Sequence, residues 1–143
     1  MSDDFDLERF VTAQDQGGTY LQALAELRRG RKVSHWMWFV FPQLAGLGRS
    51  STARFYAIHS LAEAEAYLAH PVLGARLRES AAVVAELTGR TAEDVFGGID
   101  AVKLRSSMTL FARAAPAERS FADVLDRCFA GQPDPATGRL LGS

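Results

Sequence analysis

At 143 residues the chain is the size of one domain. Its 48% hydrophobic and 23% charged residues are a globular composition, not a disordered one, and that length can bury a core without a disulfide or metal. A net charge of −1, from 16 basic and 17 acidic residues mixed along the chain, argues against a broad nucleic-acid or anionic-membrane footprint while leaving room for a local basic pocket.

Cys128 is the single cysteine, so no internal disulfide and no cysteine-built zinc site can form. The first ten residues, MSDDFDLERF, are acidic and lack the basic region and apolar core of a signal peptide. The longest apolar run, residues 36–41, is far short of the ~20 residues of a membrane helix. A cytoplasmic protein with no membrane partner is the expectation.

In chain order, residues 6–14 read as a first short helix with Leu7, Phe10, Val11 and Gln14 at helical spacing and Asp4 or Asp6 as cap. Gly17 and Gly18 break it, and Thr19 reads as the cap of a second helix with Gln22 completing a capping box. Leu21, Leu24 and Leu27 line one side of that helix, and Gly30 ends it. Residues 31–59 have no clean period, and Ser50, Ser51 or Thr52 offers a cap for a short segment running to Ile58. Their apolar run, 36–41, fits a buried strand or a buried short helix, and the lack of a partner strand elsewhere favours helix. Ser60 with Glu63 begins the next helix, which Pro71 ends near His70, where the helix dipole would favour a cationic imidazole. Leu73, Leu77, Ala81, Val84 and Leu87 form a further stripe. Thr91 caps a short turn closed by Gly97 and Gly98. Asp100 then reads as cap of a helix with Leu104, Met108 and Phe111 on one face, and Ser120 as cap of a last one. Residues 131–143 read as a frayed tail. The expected fold is mainly α, one domain over residues 1–130 with about six to eight helices.

Chemistry has three candidate locations. The first is residues 32–44, KVSHWMWFVFPQL, which hold both tryptophans. Their plain role is core, with Ser34 as a helix cap. Their functional role is an aromatic wall, with His35 as acid, base or hydrogen-bond donor near neutral pH. The second is residues 100–111, where Lys103, Ser106 and Ser107 fall at i, i+3 and i+4. The order is not the S-x-x-K of serine acylases, and a solvated lysine on a capped helix is the plainer reading. The third is the loop Gly46-Leu47-Gly48-Arg49-Ser50-Ser51, which can offer backbone N–H groups to an anion but lacks the glycine spacing and Lys-Ser/Thr of a P-loop. One oddity favours function at the first two. The chain has fourteen arginines and two lysines, and the lysines, Lys32 and Lys103, fall in the segments 31–56 and 96–111 around them. His59 and His70 have no metal-site spacing, and no metal is expected.

The blocks "RKVSHWMWFVFPQLAGLGRSSTARFYAI", "EAEAYLAHPVLGARL" and "VFGGIDAVKLRSSMTLFA" resemble the bacterial domain-of-unknown-function 1810 family (DUF1810) over about residues 6–129. The resemblance implies a mainly helical single domain. Some members carry the label calpastatin, but nothing in this sequence points to calpain inhibition, and the family carries no catalytic residue over to this chain.

The leading expectation is a ligand-binding protein or enzyme with a polar-aromatic pocket for a small anionic or nucleotide-like molecule. Ser34, Trp36, Trp38, Gln43, Arg49, Tyr56 and Ser106 would bind it, with His35 as acid or base and Lys103 stabilising negative charge. No cofactor motif is present. The alternative is a protein-interaction module using residues 36–41 as an exposed apolar surface; oligomeric state is left open.

Overall fold

The computed structural model describes residues 5–142 and is built from helices: α1 (Glu8–Asp15), α2 (Thr19–Arg29), α3 (Met37–Val40), α4 (Ser51–Phe55), α5 (Leu61–Ala69), α6 (Leu73–Glu86), α7 (Ala92–Ala114), α8 (Ser120–Phe129) and α9 (Pro135–Leu140). Among the described residues the only extended pairing is an isolated parallel bridge, Leu44 with Ile58. It ties the segment that precedes α4 to the segment that follows it through Ile58 N–H to Gln43 O (2.9 Å) and Ala45 N–H to Ile58 O (2.7 Å).

The C-terminal half of α7 is the axis of the molecule. Every residue from 106 to 111 is buried, because α5, α8 and α9 all pack against this stretch. Helix α6 lies against α2, α5 and α8, and α1 against α2 and α3. Tyr67 and Phe111 (5.3 Å between ring centroids) and Phe111 and Phe121 (5.8 Å) carry aromatic packing across α5, α7 and α8. Of residues 36–41, Trp36, Met37, Val40 and Phe41 are core, and Trp36 and Phe41 meet Phe96 of α7 at 6.5 and 6.1 Å. Part of that run, Met37–Val40, is the short helix α3.

Several caps form as the sequence indicates. Ser50 and Ser60 accept from Ala53 and Glu63 N–H, and Thr91 with Asp94 makes a complete capping box. Others do not. Asp4 lies outside the described residues, and Asp6 (φ 53°) gives way to Leu7 at the N-cap of α1, with no side-chain bond. Thr19 is already helical, and its hydroxyl donates back to Gln16 O at 2.6 Å. On α2 the expected stripe is rotated: Leu21 is 70% exposed while Glu26 is completely buried. His70 serves the following helix: its Nδ1 accepts from the Val72 and Leu73 N–H groups at 3.1 and 3.2 Å, so its ring caps the start of α6.

The segment after Gly131, expected to be a frayed tail, folds back onto α7 as α9. Asp134 caps that helix through Thr137 N–H (3.0 Å) and Thr137 Oγ1–H (2.6 Å). Asp134 N–H in turn donates to Thr109 Oγ1 at 2.8 Å, while Arg105 holds the carbonyls of Gln132 and Pro133, each at 2.9 Å. Short polar residues around two prolines look like disorder by composition; here they are a capped turn with specific partners on α7.

Gly74 sets how closely α5 and α6 meet, since a Cβ there would lie 2.1 Å from Leu68 O. Gly74→Ala must push the helices apart, and chemical denaturation should show a loss of about 1–3 kcal/mol.

Candidate functional site

The site begins with how α2 ends. Gly30, in the left-handed region at φ 77°, stops the helix, and Lys32 N–H donates to Val95 O of α7 at 2.7 Å. The chain then wraps around one buried carboxylate. Glu26 accepts from Val33 N–H (2.9 Å), Ser34 N–H (3.1 Å), Ser34 Oγ–H (2.6 Å), Trp36 Nε1–H (2.9 Å) and Gln22 Nε2–H (3.2 Å). Burial alone would raise the Glu26 pKa. The bonds from the Ser34 hydroxyl, the Val33 amide, the Trp36 indole and the Ser34 amide outweigh it and hold the carboxyl at about 2. Ser34 is therefore a partner of Glu26, not a helix cap and not a cleft residue.

This wrapping leaves His35 exposed and sends Lys32 towards α7. Lys32 Nζ lies 2.8 Å from Asp100 Oδ2 and 5.0 Å from the Trp36 ring centroid, with its side chain 7% exposed. Lys103, one turn beyond Asp100, reaches Asp100 Oδ1 at 3.6 Å and sits 5.0 Å from the Trp38 ring centroid. Asp100, expected as a helix cap, is instead an internal residue of α7 whose carboxylate lies between the chain's two lysines. The helix is broken just before it, at Gly97 (φ 80°, ψ 165°), a conformation that a side chain would strain. The bend opens a cleft of about 400 Å³ lined by Lys32, His35, Met37, Trp38, Phe96, Gly97, Gly98, Ile99, Asp100 and Lys103.

The expected site residues thus divide. His35, Lys103 and Trp38 share this cleft. Gln43 and Tyr56 line a smaller cavity of about 80 Å³ on the α4 side, together with Arg54 and His59; Trp38 borders it as well. Trp36 is fully buried, its indole N–H taken by Glu26, and Arg49 borders neither space. Ser106 is buried and donates to Val102 O and Asp134 Oδ2, at 3.2 and 3.1 Å, so it belongs to the α9 contact. Positions i and i+3 diverge by about 60° around a helix, enough here to send Lys103 to the cleft and Ser106 to α9. Burial pushes the Cys128 thiol up, away from the reactive thiolate. Sequence reasoning missed Asp100 and the bare backbone at residues 97–98 as cleft residues. The signal for them was the Gly-Gly pair just ahead of an acidic residue and Lys103.

Fold and site together define a single-domain, mainly α-helical protein with a cationic cleft walled by tryptophan. The chain belongs to the DUF1810 family, described as a protein of unknown function, whose model matches residues 4–141. Among solved structures, it is similar to the conserved hypothetical protein Rv1873 from Mycobacterium tuberculosis, at 51% identity, over 99% of each chain and with a TM-score of 0.95. A comparison with curated proteins found no match.

Glu26 yields a pH prediction. Its folded pKa of about 2 lies below the ordinary value of 4.5, so the unfolded chain binds the extra proton first as acid is added. The stabilisation is complete above about pH 4.5 and is lost as pH falls towards 2. Glu26→Gln should flatten this part of the stability–pH curve measured by urea unfolding. Glu26→Leu, which orphans two amides and an indole N–H, should cost about 3 kcal/mol or more at neutral pH.

Proposed function

We propose that this chain is a small bacterial cytoplasmic protein that binds a small anionic, nucleotide-like molecule in the cleft between residues 32–38 and the Gly97 bend. The observation that carries the reading is the convergence of both lysines, His35 and the Trp38 ring on one cleft with Asp100 as its single lining carboxylate. Asp100 offers one negative charge to two ammonium groups, so the walls keep an excess of positive charge for a ligand. About 400 Å³ falls within the usual span of small-molecule sites. Trp38, half-buried, can stack on a planar ring while Lys103 meets an anionic group. His35, exposed at the rim, is the group in place for proton transfer to a bound molecule.

The cytoplasmic assignment draws on the lone cysteine, which suits a compartment that keeps thiols reduced. A protein-docking role for residues 36–41 has less support, because Trp36, Met37, Val40 and Phe41 are buried and only Trp38 and Phe39 are partly open.

A thermal-shift screen of nucleotides and phosphorylated metabolites tests the proposal. A ligand at 100 times its dissociation constant adds ~2.7 kcal/mol to the folded state, a readily measured rise in Tm. Lys103→Ala should abolish the shift given by the wild type. A wild type that responds to no anionic compound, or a shift that survives Lys103→Ala intact, overturns the reading.

A further inference from the structure

The two glycines at the α7 bend look alike in sequence but differ in what holds them there. Gly97 has φ 80° and ψ 165°, so its glycine is a requirement of the backbone. Gly98 is outside the left-handed region, and a Cβ built on it would meet nothing within 4 Å. The fold therefore gives no reason for glycine at position 98. Within a helix alanine would be favoured by up to about 1 kcal/mol. Gly98 is exposed and lines the same cleft as Lys32, His35 and Lys103.

We propose that Gly98 is a ligand-contact residue: its bare backbone is the floor on which a phosphate group of the bound molecule rests, beside Lys103. The inference rests on the reading of the cleft given above and adds to it the class of the anionic group and where that group sits. A residue without Cβ permits close approach of a ligand to the main chain, and a lysine ammonium is a compact point charge suited to phosphate. Lys103 lines the same cleft as Gly98, with its ammonium 3.6 Å from Asp100 Oδ1 and 5.0 Å from the Trp38 ring centroid. A methyl at position 98 would fill the space the phosphate needs while leaving the empty protein unchanged.

The test uses Gly98→Ala, Gly97→Ala and Lys103→Ala beside the wild type, with thermal melting of the free proteins and calorimetric titration of adenosine monophosphate and inorganic phosphate. The expected result is a Gly98→Ala protein that melts at or above the wild-type temperature yet binds the monophosphate roughly tenfold or more weakly, the effect of one methyl forced into a packed contact. Gly97→Ala should melt lower, as the strain demands. Wild-type affinity in Gly98→Ala overturns the assignment, and so does a Gly98→Ala protein that melts well below wild type, since the glycine would then serve the fold. If Lys103→Ala loses binding while Gly98→Ala keeps it, only the Gly98 assignment falls. If the wild type binds neither probe, the phosphate assignment falls; a response of the wild type to other anions in the screen would leave the cleft reading standing.

Discussion

The carboxylate of Glu26 is the interaction on which the geometry of the cleft depends. A fully buried acid is costly unless its oxygens are bonded, and a buried tryptophan brings an indole N–H that needs an acceptor. Each requirement meets the other: Glu26 takes Trp36 Nε1–H, and the Val33 and Ser34 amides, the Ser34 hydroxyl and Gln22 Nε2–H fill its remaining positions. The path of residues 31–36 follows from those bonds. Trp36 must turn inward, so its neighbour His35 faces out, and Lys32 is left where only α7 can neutralise it.

The second constraint is the break at Gly97. An unbroken α7 would carry its side chains past residues 31–36 at helical pitch; the bend instead places Asp100 between Lys32 and Lys103. The contact of Lys32 N–H with Val95 O anchors the loop just before the bend, and the Lys32–Asp100 pair anchors it just after. The cleft lies over the irregular backbone between these two anchors. Its walls are thereby fixed at both ends, which suits a preformed site better than a lid.

Elements with a local cause were legible in the sequence. The stripe of Leu73, Leu77, Ala81 and Val84 and the caps at Ser50, Ser60 and Thr91 depend on residues within a turn of one another and form, while Leu87, expected to continue the stripe, is the half-buried residue that ends α6. What depended on distant partners was not. Glu26 carries the composition of a helix surface, and only its bonds to residues 33–36 show why it is inside while Leu21 is out. His70 could be placed at a helix boundary, but not which helix it serves; His70 N–H donates to Ala66 O, while its ring caps the following helix. Asp100 looked like a cap because the sequence does not show that helical backbone continues on both sides of Gly97. The segment after Gly131 needed Arg105, Ser106 and Thr109, more than twenty residues earlier, to become ordered against α7.

The contrast between arginine and lysine, visible in the composition, acquires a physical meaning in three dimensions. Several arginines here act as clamps on main-chain carbonyls. Arg9 alone donates to the carbonyls of Phe5, Asp6, Phe55 and Ala57 and pairs with Glu63 at 2.9 Å, joining α1 to the segment after α4. Arg127 holds Leu87 O and Arg90 O, and Arg78 holds Leu68 O along with Glu118. A planar guanidinium with five fixed donors satisfies several carbonyls at once and leaves little charge available for a ligand. An ammonium is a poorer clamp. Its charge is concentrated, its donors rotate freely, and it can exchange a carboxylate partner for an incoming anion without dismantling a helix end. Of the two on either side of Asp100, Lys32 is the more committed, since it also donates to Ser34 O. Lys103 has the longer 3.6 Å approach to Asp100 and the Trp38 face, so it is the cation whose chemistry the fold leaves less occupied.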